Sequence, residues 1–268
     1  WSGICLPIAM DLFHFNPDTV FSFLLTFMRL SVVVFMLPFY GATLIPNVVK
    51  ASFCLVLAMA LWPRLAFAGT ALPASPWTIG IMFLGEALLG LLLDILVRLL
   101  FSAAQSAGSI MGFSMGFSLM NSIDPMTGAS ESGLGHLMSQ VATMLFLCLN
   151  GHLFLLSAMA QSFEMVPPGG LLVNAAVGEH LIAFTGQMFV MAIKIAAPIL
   201  ASIFLVDLAL ALVARAAPQM NVLFIGFPLK VSVGFLFMTM VFAAMTIVIE
   251  NFLIDLEPMF RLVLKASS

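Results

Sequence analysis

Charged side chains are scarce in this chain, where Asp, Glu, Lys and Arg make up only 8% of the 268 residues. Nine basic and twelve acidic residues give a formal net charge of −3. This balance offers no basic face for nucleic acid, so we expect no nucleic-acid partner. Hydrophobic residues reach 63% and the mean hydropathy is +1.19, far above ordinary globular usage. The composition therefore predicts a lipid membrane, or a similarly apolar surface, around the chain.

Residues and motifs that carry chemistry are also few. Cys5, Cys54 and Cys148 lie far apart among apolar neighbours, which predicts packed thiols rather than a disulfide or a metal cluster. The four histidines lack the spacing of metal ligands. The sequence contains no nucleophile elbow, phosphate loop or HExxH motif. We therefore expect no metal, no cofactor, no catalytic residues and no enzymatic activity.

Long apolar stretches dominate the chain, and no alternating pattern typical of β-strands competes with them. The sequence therefore predicts an all-α fold of long, broken hydrophobic helices and helical hairpins. Asn16, Ser75 and Asp124 each precede a proline, which is typical of helix starts. The stretches cover 19–37, 48–62, 77–100, 134–166, 181–213 and 222–256.

The stretches 134–166 and 181–213 are over-long for a single crossing of the bilayer, which needs roughly 20 residues. Each contains a helix breaker, Asn150-Gly151-His152 in 134–166 and Pro198 in 181–213. We expect each breaker to bend its helix or to turn the chain back as a short hairpin.

A glycine-stepped segment, residues 101–128, follows the third stretch. Its glycines recur every four residues, which would place them along one narrow groove of a helix. Within it the sequence MGFS occurs twice, so two methionines and two phenylalanines also recur at helical spacing. Such a segment could pack closely against another helix, or it could plug, seal or bend. The candidate residues are Gly108, Met111, Gly112, Phe113, Met115, Gly116 and Phe117.

Ionisable residues inside the apolar stretches are the other candidates for function, because charges in lipid are costly. Glu86, Asp94 and Arg98 share one stripe of a helix, and Asp94 and Arg98 could form a direct ion pair. These groups could relay protons or ions, or they could pair with each other or with neighbouring subunits to fix helix register. The remaining candidates are Arg29, Lys194 and Asp207.

Several motifs, in order along most of the chain, together resemble the FliR and SctT family of type III secretion export-gate proteins. The NGHL and IGFPLK portions resemble the flagellar branch of the family more than the virulence branch. The motifs are MRLSVVVFMLPFYGATLIPNVVK from Met28, GEALLGLLLDILVRLLFSAAQSAG from Gly85, MGFSMGF from Met111, DPMTG from Asp124, LNGHLFLL from Leu149 and APQMNVLFIGFPLK from Ala217.

The resemblance implies a non-enzymatic core subunit of the flagellar export gate, through which unfolded flagellar subunits leave the cytoplasm. It implies a FliP-like part over about residues 1–180, with a plug loop at 106–122 that closes the pore, and a FliQ-like helical hairpin over 181–268. It also implies FliP-like, FliQ-like and FlhB-like partners, in the bacterial inner membrane within the flagellar basal body. Asp94 and Ser114 depart from the residues that relatives more often have at these positions.

Three alternatives remain open from the sequence. The chain could serve an injectisome rather than a flagellum. It could be a secondary transporter or ion channel that uses Glu86, Asp94, Lys194 and Asp207 as coupling sites. It could also be a scaffold that supports assembly without lining any path.

Overall fold

The computed structural model describes residues 17–36, 46–65, 73–117, 133–167, 169–170, 175–219 and 221–267. The described residues form seven α-helices and no β-strand, which confirms the all-α prediction. The helices are α1 Pro17–Met36, α2 Asn47–Leu65, α3 Pro76–Met115, α4 Gly133–Cys148, α5 Gly151–Met165, α6 Ala175–Ala216 and α7 Val222–Ser267.

Proline marks two of the helix starts. Helix α1 begins at Pro17 and α3 at Pro76, as the preceding polar residues predict. Proline suits the first helical position because the N–H that it lacks would have no partner there. The predicted start at Asp124-Pro125 lies outside the described residues.

Helix lengths fall into two classes. Helices α1, α3, α6 and α7 are long and apolar enough to cross a membrane, whereas α2 is shorter. Helix α3 continues for 15 residues beyond the predicted end at Leu100 and includes residues 101–115 of the glycine-stepped segment. The predicted apolar stretch 134–166 is divided between α4 and α5.

The division between α4 and α5 is a sharp bend. The two helices meet at 70°, and Asn150 adopts a left-handed backbone conformation with φ of 58°. A side chain at Gly151 would place its Cβ only 2.5 Å from the ring of Phe146. The bend predicted at Asn150-Gly151 is therefore confirmed.

Pro198 gives a different result. It lies inside the unbroken helix α6, so the alternative in which the chain turns back there is wrong. A proline inside a helix removes one backbone hydrogen bond, and the bonds of the flanking turns can keep the helix continuous.

The chain divides into two compact units. The first comprises Trp1–Asp94, Ser157–Asn174 and Val263–Ser268. Within it, the ring of Phe23 meets Trp62 edge to face with ring centroids 6.1 Å apart, which joins α1 to α2. The second unit comprises Ile95–Leu156 and Ala175–Leu262, and Phe101 of α3 meets Phe146 of α4 at 5.5 Å within it. The predicted division into residues 1–180 and 181–268 stays a prediction.

Large apolar side chains remain exposed on the long helices. In the most apolar windows of α6 and α7 only 28% of the residues are buried. Phe204 on α6 is 68% exposed, and Phe224 and Leu236 on α7 are 83% and 72% exposed. Apolar surface on this scale indicates contact with lipid or with other proteins.

Candidate functional site

A buried ion pair joins α1 to α3 in the first unit. The Arg29 guanidinium donates to both carboxylate oxygens of Glu86, with Nε–Oε2 at 2.6 Å and Nη2–Oε1 at 3.1 Å. Both side chains are only 1% exposed. The two helices also approach closely at Gly90, where an added Cβ would lie 2.9 Å from the carbonyl oxygen of Arg29. Two parallel bonds fix the relative orientation of the charged groups more tightly than one bond would.

The remaining N–H groups of Arg29 donate hydrogen bonds at the C-terminal end of α5. Nη1 donates to the carbonyl oxygen of Ser162 at 3.1 Å and to its hydroxyl at 3.4 Å, and Nη2 donates to the carbonyl of Val166 at 3.1 Å. The guanidinium also lies 4.2 Å from the ring centroid of Phe163. With the two bonds to Glu86, all five N–H donors of Arg29 have acceptors. The cation also compensates the negative end of the α5 helix dipole.

Glu86 has a third donor in the turn that follows α5. The backbone N–H of Gly169 donates to Glu86 Oε1 at 2.8 Å. Gly169 has φ of +83°, and a Cβ there would collide with the terminal methyl of Met82. Only glycine satisfies both the backbone conformation and the space. Together, Arg29, Glu86, Ser162, Phe163, Val166 and Gly169 make up what we term the Arg29 network.

Two further candidate charges, Lys194 and Asp207, lie on α6 in the second unit. Asp207 of α6 forms an ion pair with Lys230 of α7 at 2.5 Å, with the two side chains 50% and 25% exposed. Asp207 is isolated among apolar residues in the sequence, which therefore does not reveal its partner. The pair forms because α6 and α7 are neighbours in the fold. Lys194 is exposed on α6 and makes no ion pair with any residue that the structure describes.

Asp94 and Arg98 lie one turn apart on α3. Asp94 is 1% exposed, whereas Arg98 is exposed. Their direct pairing stays a prediction.

The glycine-stepped segment is helical as far as Met115, where α3 ends. The N–H of Gly116 donates to the carbonyl of Phe113 at 3.0 Å, and the N–H of Phe117 donates to that of Gly112 at 2.9 Å. Gly116 has φ of +91°. These are the two bonds and the left-handed glycine of a Schellman cap. Gly116 therefore terminates the helix and does not extend the groove, and residues 118–122 of the predicted plug loop lie outside the described residues.

The MGFS repeat presents two different surfaces. Met111 and Met115 are fully buried, whereas Phe113 is 74% exposed. Residues two positions apart point to roughly opposite sides of a helix, so Met111 and Met115 lie inside while Phe113, between them, lies outside. Gly108 and Gly112 are also buried.

Gly108 lies where α3 crosses α4 in the second unit. A Cβ at Gly108 would lie 2.6 Å from both the Cα of Gly135 and the carbonyl oxygen of Leu134. A Cβ at Gly135 would in turn lie 3.0 Å from the carbonyl oxygen of Gln105. The backbones of the two helices approach each other here as small residues allow.

The end of the repeat contacts α7. The side chain of Met115 fills the space above Gly234, where an added Cβ would lie 2.7 Å from its sulfur and would also collide with its methyl group. Phe117 meets Phe227 edge to face, with ring centroids 6.5 Å apart and an interplanar angle of 86°. These contacts connect two motifs that lie more than 100 residues apart in the sequence.

The sequence alone does not identify the residues that contact Arg29 and Glu86 or the glycine that contacts the MGFS repeat. Ser162 and Val166 act largely through backbone carbonyls, which no side-chain pattern reveals. Gly169 belongs to the Pro-Pro-Gly-Gly break after α5, which marks a turn but not its partner. Gly234 is an isolated glycine in an apolar helix, and this sequence signal of close packing could have identified it as a contact residue.

Groups of three or more His, Cys, Asp or Glu side chains placed to hold a metal do not occur among the described residues. Cys54 is a buried free thiol and Cys148 an exposed one. The described residues form packed helices, and the Arg29 network is buried among those of the first unit.

Comparisons with known proteins extend over most of the chain. Residues 20–256 match the family described as bacterial export proteins, family 1. The chain is 34% identical over 250 residues to the flagellar biosynthetic protein FliR of Bacillus subtilis, covering 90% of this chain and 94% of that one. It is 28% identical to FliR of Aquifex aeolicus, covering 92% and 95%. It is 25% identical to the surface presentation of antigens protein SpaR of Salmonella typhimurium, covering 82% of each.

Proposed function

The chain belongs to the family of bacterial export proteins, family 1, and we propose that it is a non-enzymatic core subunit of the flagellar type III protein export gate. In this role it helps to form and seal the channel through which unfolded flagellar subunits leave the cytoplasm. The observation that carries the proposal is the similarity to flagellar biosynthetic proteins over nine-tenths of the chain. The lower identity to SpaR makes an injectisome export gate the second candidate.

The exposed helix faces support a role inside a larger membrane assembly. Four helices are long and apolar enough to cross a bilayer, and in the most apolar windows between 28% and 44% of the residues are buried within the chain. The remaining apolar surface needs lipid or protein contact. We propose FliP-like, FliQ-like and FlhB-like subunits as the protein contacts, in the bacterial inner membrane within the flagellar basal body.

The repeat segment suits the seal of such a channel. An idle channel must exclude ions, yet an active one must pass chains of varied chemistry. Met and Phe fill irregular space without directional bonds, so they can be displaced at modest cost. We propose that Phe113, which is 74% exposed, faces the path, and that Met111, Met115 and Phe117 hold the segment in place.

The charge arrangement gives less support to a transporter. Glu86 is engaged by Arg29 and by a backbone N–H, and Asp207 is engaged by Lys230. A relay of protons or ions would need a connected series of such groups.

Native mass spectrometry tests the proposal. The chain would be expressed alone and together with its genomic neighbours, then extracted in mild detergent. We expect a discrete hetero-oligomer that contains this chain. A stable lone species with substrate-dependent ion flux would overturn the proposal in favour of a transporter.

The sealing role needs a second experiment. The assembled complex would be reconstituted in vesicles that contain a potassium-sensitive dye, with either the full chain or a chain lacking residues 111–117. We expect the shortened chain to leak potassium. If the shortened complex assembles and stays as tight as the parent, the repeat does not seal the channel.

A further inference from the structure

We propose that Phe227 and Gly234 of α7 form a seat that holds the MGFS repeat in its closed position. The inference rests on the proposed sealing role and adds a positioning function for α7. All the residues that carry it lie in the second unit of the chain.

The first observation is the fit of Met115 over Gly234. Met115 is fully buried, and its side chain occupies the volume that a Cβ at position 234 would need, with Cγ 3.0 Å and Sδ 2.7 Å from that point. A buried methionine has little free space into which to move. The absence of a side chain at Gly234 therefore fixes where the last helical residue of the repeat can lie.

The second observation is the contact beyond the helix end. Phe117 meets Phe227 edge to face, and a Cβ at Gly116 would lie 3.2 Å from the Phe227 ring. Phe227 and Gly234 are seven residues apart, so they lie on one face of α7, about 10 Å apart along its axis. The seat therefore contacts the repeat at two points, one on each side of the Schellman cap.

The third observation is how the seat itself is held. Lys230 lies between Phe227 and Gly234 and forms the ion pair with Asp207 of α6. One turn earlier, a Cβ at Gly226 would lie 3.1 Å from a methyl of Leu210, also on α6. The seat is thus supported from α6, while its own contacts with the repeat are apolar and carry no hydrogen bond that would have to break on opening.

The test is the potassium leak of the reconstituted complex with Gly234→Ala. The new methyl displaces Met115, and overpacking of about 1–3 kcal/mol corresponds to a leak between about fivefold and about 140-fold above the parent. Gly186→Ala is the matched control, because nothing lies within 4 Å of a Cβ at Gly186 of α6. We expect the control to leak like the parent. Equal leak in Gly234→Ala and Gly186→Ala overturns the seat.

A double substitution makes the test specific to the contact. Met115→Ala shortens the side chain that the new methyl at position 234 would strike. We therefore expect Gly234→Ala combined with Met115→Ala to leak less than the product of the two single effects. Multiplying effects would mean that the two positions act independently, which contradicts the inference.

A third variant covers the case in which Gly234→Ala prevents assembly. Phe227→Leu removes the ring contact without adding atoms, and we expect a leak about twofold to tenfold above the parent. Its control is Phe235→Leu, since Phe235 lies on the same helix and is 55% exposed. Equal leak in these two variants overturns the seat. If the chain lacking residues 111–117 is itself tight, the sealing role fails, and the seat fails with it.

Discussion

The Arg29 network and the MGFS repeat both use helix α3, yet opposite kinds of contact hold them. Around Arg29, every N–H of the guanidinium has an acceptor, and Glu86 accepts from two residues. At the repeat, Met115 and Phe117 contact α7 through apolar groups alone. Hydrogen bonds would have to break for the first region to move, whereas the apolar contacts of the second can separate without breaking any.

This difference indicates a division of labour along one helix. A buried ion pair with all its hydrogen bonds made is costly to disturb, because each partner would be left charged and without water. A methionine over a glycine can leave and return with little change in bonding. The part of α3 before Asp94 therefore suits a fixed framework, and the part after Ser109 suits a movable element.

Replacing Arg29 should produce the largest loss of stability, and it tests whether the Arg29 network is the rigid part of α3. Arg29→Ala leaves Glu86 buried without its cation, which costs about 3–5 kcal/mol. We expect the midpoint of thermal unfolding of the purified complex in detergent to fall by roughly 10 °C. Arg261→Ala is the control, since Arg261 pairs with Glu257 at an exposed position, where such pairs contribute at most about 0.5 kcal/mol. Equal shifts would show that the Arg29 network is not a framework.

The helix crossing at Gly108 is the second target. Gly108→Ala puts a methyl against the backbone of Gly135, which has no flexible end to move aside, and we expect a loss of about 1–3 kcal/mol. Gly186→Ala adds the same methyl in open space and should stabilise α6 by up to about 1 kcal/mol. Thermal unfolding of the two variants would be compared, and a stabilised Gly108→Ala would rule out the close approach.

The turn after α5 sharpens the comparison further. Gly169→Ala places a side chain in a left-handed conformation and against Met82, so we expect a loss of about 1–2 kcal/mol. The loss should be smaller when Arg29 is already alanine, because the bond from Gly169 to Glu86 then no longer connects the turn to Arg29. Gly80→Ala is the control, as nothing lies within 4 Å of a Cβ there. Additive losses would separate Gly169 from the network.

The half-exposed pair of Asp207 and Lys230 should give the smallest effect. Asp207→Asn is expected to cost at most about 1 kcal/mol in thermal unfolding, because water and salt screen the pair. The cost should shrink further in 1 M salt, where the Debye length is about 3 Å. Glu250→Gln on α7 is the control, as Glu250 is exposed and makes no ion pair with the described residues. A large loss that does not change with salt would show that this pair stabilises the fold as strongly as the buried pair of Arg29 and Glu86.

Much of the helix content follows from local signals. Prolines at the first helical position mark the starts of α1 and α3, and Asn150-Gly151 marks the bend, because each acts within a few residues. The C-terminal end of α3 is harder to predict from the sequence. Glycine and serine weaken its apolar pattern after Leu100, and the close crossing at Gly108 shows that packing against α4 supports the helix there.

The contacts of the candidate site depend on distant parts of the chain. Arg29 and Glu86 can each be selected as intramembrane charges, but their pairing joins residues 57 positions apart. The carbonyls of Ser162 and Val166 become acceptors only because α5 ends beside Arg29. Met115 and Gly234 are both visible in the sequence, yet only the packing of α3 on α7 shows that one fits over the other.

A membrane voltage acts on the two kinds of charge differently. Moving one elementary charge through 100 mV involves about 2.3 kcal/mol of electrical work. Arg29 and Glu86 move together as a neutral pair, so a shift of this pair across the field involves almost none. Lys194 has no such counter-charge among the described residues. Displacement of this ion pair is therefore electrically silent, and any voltage sensitivity within the described part of this chain would have to come from other charges.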